Sequence, residues 1–146
     1  MKKDRVVHNQ PSFLLANETV SVAITKRGGH MAPVTFGSSG EQQITPYYIS
    51  PWQDEKPADM PADVLVPLRG DFFCMPFGGN ATEWKGEKHP PHGETATGLW
   101  SFVDEQTSEP GVSRLTLALD THIRKGRVIK EIFLRKEHPV VYQRHT

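Results

Sequence analysis

The residues of this chain with the most chemistry to offer fall in three short stretches. The first is Tyr47-Tyr48-Ile49-Ser50-Pro51-Trp52-Gln53. The second runs from Leu68 to Asn80 and contains Arg69-Gly70-Asp71, Cys74 and Pro76-Phe77-Gly78-Gly79-Asn80. The third is His89-Pro90-Pro91-His92-Gly93-Glu94, closed by Trp100. Together they bring aromatic rings, an arginine, carboxylates and two histidines into one glycine-rich and proline-rich region. That mixture suits a sugar. An aromatic face stacks on the apolar C–H face of a pyranose, while Arg, Asp, Asn and His supply donors and acceptors to the hydroxyls. Trp52 is the candidate platform, and Arg69, Asp71 and Asn80 are the candidate hydroxyl partners. His92 is the candidate proton-exchange group, because an imidazole with a near-neutral pKa can trade a proton with a ring oxygen or a hydroxyl.

Each of these residues also has a plainer reading. Arg69 can pair with Asp71 or Asp63 on the surface, a contact contributing about 0–1 kcal/mol. Asp71 and Asn80 can serve turns, Asn80 beside the Gly78-Gly79 pair. His89 and His92 have His-x-x-His spacing, which can hold a metal. An extended His-Pro-Pro-His segment points its two rings in different directions, however, and no further ligand cluster accompanies it, so no metal site is expected. Cys74, between Phe73 and Met75, reads as a small buried apolar residue. Trp100, beside a strand at Val103, reads as core. Arg69-Gly70-Asp71 can suggest an adhesion tripeptide, but its aromatic flanks argue against that.

Order and spacing add a further indication. Arg69-Gly70, then Pro76-Phe77-Gly78, then His92-Gly93 and Trp100 resemble the N-terminal half of the aldose 1-epimerase, or galactose mutarotase-like, family. The hexose-phosphate mutarotase-like branch is the nearest in pattern. Gly28-Gly29-His30 resembles that family's early strand turn. The resemblance implies a β-supersandwich carrying a sugar cleft. It also implies interconversion of sugar anomers by proton transfer, with no metal or organic cofactor. By the same resemblance His92 lies against the ring oxygen, Arg69 contacts hydroxyls, and His145 is the second histidine, the proposed acid. Glu94-Thr95-Ala96-Thr97 stands where the phosphate-sugar branch carries an arginine, which leaves phosphate specificity without its residue. Family members are longer, and their general-base glutamate lies in the C-terminal half, so the chain is expected to be an N-terminal fragment without its base. The alternative is a non-catalytic carbohydrate-binding module, or an accessory domain of a larger carbohydrate enzyme.

These residues need a scaffold, and period-2 alternation is the main local signal. Val20, Val22 and Ile24 share one face of a strand, and Arg27-Gly28-Gly29-His30 turns the chain. Met31 to Phe36 is the return strand, where Pro33 lacks a ladder donor and predicts a sheet edge. Leu115, Leu117 and Leu119 open a second hairpin, with a turn at Arg124-Lys125-Gly126-Arg127, a return from Val128 to Leu134, and a further strand over Pro139 to Tyr142. Most of the prolines lie between Thr45 and Gly98, which predicts long loops on a rigid sheet. No helical stripe is evident. The pattern predicts an all-β antiparallel sandwich.

Composition narrows the partners. The chain has 146 residues, with 17 Lys plus Arg against 17 Asp plus Glu. This balance argues against nucleic acid and an anionic membrane, both of which select a basic excess, and favours a small uncharged sugar. One cysteine excludes an internal disulfide framework. No apolar run approaches the length of a membrane span. No apolar stretch follows the N-terminal Met-Lys-Lys-Asp-Arg, so a cytoplasmic location is expected.

Overall fold

The computed structural model describes residues 4–40, 42–55, 59–76, 78–105 and 109–146. Phe77, the centre of the Pro-Phe-Gly stretch, lies outside the described residues. Within these residues, eight strands form two antiparallel sheets of four. The first sheet holds β1 (Arg5–Val7), β2 (Gln10–Ala16), β3 (Val20–Thr25) and β4 (Met31–Phe36), in that order. The second holds β5 (Ser101–Asp104), β6 (Val112–Thr121), β7 (Gly126–Arg135) and β8 (Tyr142–His145), also in order. Every pairing is a simple meander step. Among its described residues, the long middle region contributes only isolated bridges and three single-turn 3-10 helices.

The period-2 signal places the core. Phe13, Leu15, Val22, Ile24 and Val34 come from the first sheet, and Leu115, Leu117, Leu119, Val128, Ile132 and Leu134 from the second. They form one buried cluster, with β2 packed across onto β6 and β7. Each such side chain contributes about 1.5–3 kcal/mol by leaving water. The protein is therefore an all-β antiparallel sandwich.

Local reasons explain the hairpins. Asn17 accepts hydrogen bonds from the amides of Thr19 and Val20 on its side-chain oxygen, which closes the β2–β3 turn. Its side-chain amide donates to the Arg135 carbonyl at 2.8 Å and so ties that turn to the far end of β7. The β3–β4 turn falls at Arg27 to His30, as the paired glycines predict. Gly28 and Gly29 have φ of 74° and 61°. A side chain at Gly29 would also press on the Trp100 indole. Pro33 lies on β4, which is an edge strand of its sheet.

Two boundaries and one stretch of pattern differ from expectation. The β6–β7 turn lies before Gly126, because Thr121 pairs with Gly126 and its hydroxyl donates to the Arg124 carbonyl. The last strand runs over Tyr142–His145 and not over Pro139 to Tyr142. Glu137 has φ of 64°, and Pro139 offers no N–H, so pairing begins only where Tyr142 meets Phe133. The strands β1 and β2 carry no clean alternation. Leu14 is apolar beside Phe13 and Leu15, and Pro11 interrupts the run.

One residue breaks the core pattern. Val128, Lys130, Ile132 and Leu134 share the inward face of β7, so a lysine points into the sandwich. Lys130 is 1% exposed. Its ammonium donates to the Gly29 carbonyl at 2.6 Å and sits 5.4 Å from the centre of the Trp100 ring. Burial pushes its pKa down to about 8, against an opposing pull from Asp71. Directly across the ladder stands His145.

Candidate functional site

The segment Asp71–Met75 is where the predicted site residues meet the scaffold. Bonds from three sides hold it. The Met31 amide donates to the Asp71 carbonyl at 2.7 Å, and the Gly70 amide donates to the Tyr48 carbonyl at 2.9 Å. Thr95, fully buried, donates its hydroxyl to the Phe73 carbonyl and accepts from the Met75 amide, at 2.7 and 2.8 Å. Met75 also forms a parallel bridge with Gly93, the residue after His92. Glu94 accepts from the amides of His122 and Ile123, which anchors this loop to the β6–β7 turn.

Contacts alternate along the segment, as in any extended backbone. Phe72 stacks on His30, with centroids 4.3 Å apart and planes 9° from parallel. His92 meets the same Phe72 edge-on at 5.5 Å. Its Nδ1 lies 3.6 Å from the Cys74 sulfur. On the other side, Phe73 stacks on His145 at 4.0 Å, and Asp71 accepts a hydrogen bond from Gln143 at 2.6 Å. His92 and His145 thus pack on neighbouring phenylalanines. Among the described residues, no hydrogen bond or ring contact joins the two.

His145 differs from the acid that the resemblance implies. Burial, and then the nearby Lys130 charge, lower its pKa to about 4, with Asp71 pulling the other way. It is neutral near pH 7 and has no imidazolium proton to give. Among the described residues its Nε2 is buried without a protein partner. Burial, and next the Asp71 charge, raise the pKa of the Cys74 thiol, so it stays protonated. Cys74 is half-buried beside a histidine, not the buried apolar residue the sequence suggests.

Arg69 does not reach outward to a hydroxyl. It is 2% exposed. Its guanidinium donates to the carbonyls of Pro67, Val7 and His8 at 3.2, 2.9 and 2.9 Å, and to the Gln53 side chain at 2.5 Å. Burial lowers its pKa to about 10, so it remains charged. It pairs with neither Asp71 nor Asp63; Asp63 meets Arg27 instead. Asn80 is spent in the same way. Its amide donates to the carbonyls of Thr82 and Glu87, and its oxygen accepts from the His89 amide. Trp52 donates its indole N–H to the Leu65 carbonyl, which binds it to the 51–68 loop and not to the Asp71–Met75 segment. Trp100 is core, 2% exposed.

His92 is different again. Its ring is exposed, and its backbone has φ of 64°. It stands in the wall of a cleft of about 710 Å3 between the Gly78–Ala81 turn and Lys88–His92. Gly93 holds this corner, with φ of 75° and the Met75 carbonyl group where a Cβ would go. Gly93→Ala is therefore expected to destabilise the fold by about 2 kcal/mol through backbone strain and overlap. Chemical denaturation checks this, and an unchanged midpoint would contradict it.

The sequence reading missed Lys130, Gln143 and Thr95. Lys130 alone had a usable signal, since counting by two from Val128 puts it on the core face. Among the described residues, no three His, Cys, Asp or Glu side chains gather as a metal site, and no helix is long and apolar enough to cross a membrane. The chain matches no family model, no curated protein and no solved structure.

Proposed function

We propose that this protein is an aldose 1-epimerase-like carbohydrate protein whose sugar lies in the cleft walled by His92. The observation that carries this reading is His92 itself. A non-glycine residue in the left-handed region costs on the order of 1 kcal/mol or more, and such strain gathers at functional positions. Here it holds an exposed imidazole over a cleft large enough for a hexose. Pocket volumes of about 300–1,000 Å3 are usual for small ligands.

In this reading His92, when protonated, gives its proton to the ring oxygen as the C1–O bond breaks. A base takes the anomeric hydroxyl proton, the open chain rotates about C1–C2, and closure on the other face reverses both transfers. Asp71, tethered by Gln143, supplies negative charge beside the segment. The sequence assigns no residue as that base.

A second reading has its own support. His145 is held neutral and Arg69 is spent on backbone carbonyls, so two groups of a proton-transfer site are not free for it. That favours a carbohydrate-binding module without turnover, since recognition needs only ground-state contacts. Polarimetry and calorimetry separate the two. On the enzymatic reading, freshly dissolved α-glucose or α-galactose reaches its equilibrium rotation faster with the protein present, and His92→Ala lowers that acceleration by about 100-fold, the usual size of a general acid–base contribution. On the binding reading, calorimetry detects sugar and His92→Ala weakens it, while the rotation rate stays spontaneous. If no aldose binds and none is turned over, both readings fail.

A further inference from the structure

A second cleft of about 270 Å3 adjoins the first, and the two share Gly79, Asn80 and His89 as a common wall. Its outer wall carries Trp84, Glu87 and Arg124. Trp84 is 60% exposed, and its backbone is fixed in a turn. Trp84 and Glu87 exchange both backbone hydrogen bonds around Lys85 and Gly86, whose φ values of 50° and 80° suit a tight two-residue hairpin turn. The Asn80 amide grips the same turn through the Glu87 carbonyl. Glu87 in turn fixes Arg124, accepting its Nε–H at 3.0 and 2.9 Å, and lies 3.2 Å from His89 Nε2. Both terminal nitrogens of Arg124 are left without a protein partner among the described residues.

An exposed indole on a hydrogen-bonded turn is a binding platform whose backbone needs no further ordering when it is covered. Lys85 lies 4.5 Å from the ring centre and covers one face. Beside the platform, the Arg124 nitrogens offer donors and the Glu87 carboxylate an acceptor. An apolar face edged by fixed donors and acceptors is the complement of a pyranose. We propose that Trp84 and Arg124 form a second sugar subsite, and that the ligand is an oligosaccharide or glycoside whose next ring lies beyond the one at His92. This rests on the carbohydrate reading above and extends it from one ring to two.

Calorimetry on the full chain tests this with glucose, galactose, maltose, cellobiose and lactose as probes. The expected result is that at least one disaccharide binds roughly tenfold more tightly than its component monosaccharides, and that Trp84→Ala removes the difference, the size of one aromatic stacking contact. Monosaccharide binding is unchanged in that variant. Arg124→Gln, a change at a largely exposed side chain, weakens the disaccharide in the same selective way. Monosaccharide binding with no disaccharide advantage, or an advantage that survives both substitutions, overturns the second subsite and leaves the first intact. Silence toward all five sugars overturns the carbohydrate reading and the subsite with it.

Discussion

Arg69→Met lowers the free energy of unfolding by about 3–5 kcal/mol, whether or not a sugar is present. Methionine leaves the acceptors around it unmet. The guanidinium serves the carbonyls of Val7, His8 and Pro67 and the Gln53 side chain in a site that admits almost no water. Each acceptor left buried and unpaired costs roughly 1–3 kcal/mol, offset in part by removing a desolvated charge. The contacts join the β1–β2 turn, the 3-10 turn at Pro51–Gln53 and the approach to the Asp71–Met75 segment. Their loss therefore loosens the scaffold of the site and not its chemistry. Urea denaturation of the variant gives the number. A change under about 1 kcal/mol together with lost sugar binding would put Arg69 back among the ligand contacts, because exposed pairs contribute no more than that.

The second large effect is a loss of stability in mild acid. His30 is fully buried, and both ring nitrogens are committed. Nε2 lies 3.0 Å from the Ala96 carbonyl, which accepts its proton, and Nδ1 accepts from the Arg69 amide at 3.3 Å. A second ring proton would meet an N–H head-on. Burial is the main cause that lowers its pKa to about 4; the Ala96 bond opposes it, and the charges of Lys130 and Arg69 add to it. The sign follows from linkage. The unfolded chain takes up the proton near the ordinary value of 6.5, whereas the folded chain resists until about 4. Stability is therefore full above about 6.5, falls as the pH drops through this window, and reaches its loss near 4. The shift corresponds to roughly 3 kcal/mol. His145 works in the same direction from a more exposed position. Denaturation midpoints measured between pH 7 and pH 4.5 test this, with His30→Gln as the comparison. The idea is lost if the variant, though weaker at pH 7, keeps the full acid slope.

Much of the scaffold was legible from residue types alone. Alternation marks β3 and β6, and Pro33 marks β4 as an edge. Gly28-Gly29 marks the turn between β3 and β4. These are local statements. A strand's two faces and a turn's positive φ depend on neighbours within a few residues. The strands β1 and β2 escaped because their apolar residues are consecutive and not alternate. The last strand starts later than its apolar residues suggest, because Pro139 and the Glu137 turn delay pairing. Of the candidate site, the segment around Asp71 and the His92-Gly93 corner were both legible as glycine-flanked polar stretches, and the fold brings them together through the Phe72–His92 contact.

What each polar side chain does was decided only in three dimensions. Arg69 meets acceptors 61 and 62 residues away in the chain, and His30 meets one 66 residues away. No local pattern carries that information. The same holds for Lys130, whose inward face is local but whose partner on Gly29 lies 101 residues off. The sequence by itself therefore determined a two-sheet antiparallel sandwich with a loop-rich middle. The tertiary structure alone turned Arg69 and Asn80 into braces, held His30 and His145 neutral, and left His92 open to a cleft. The reason is physical: backbone pattern follows from each residue's own sterics, but the burial and protonation of a side chain follow from whatever distant groups the fold brings against it.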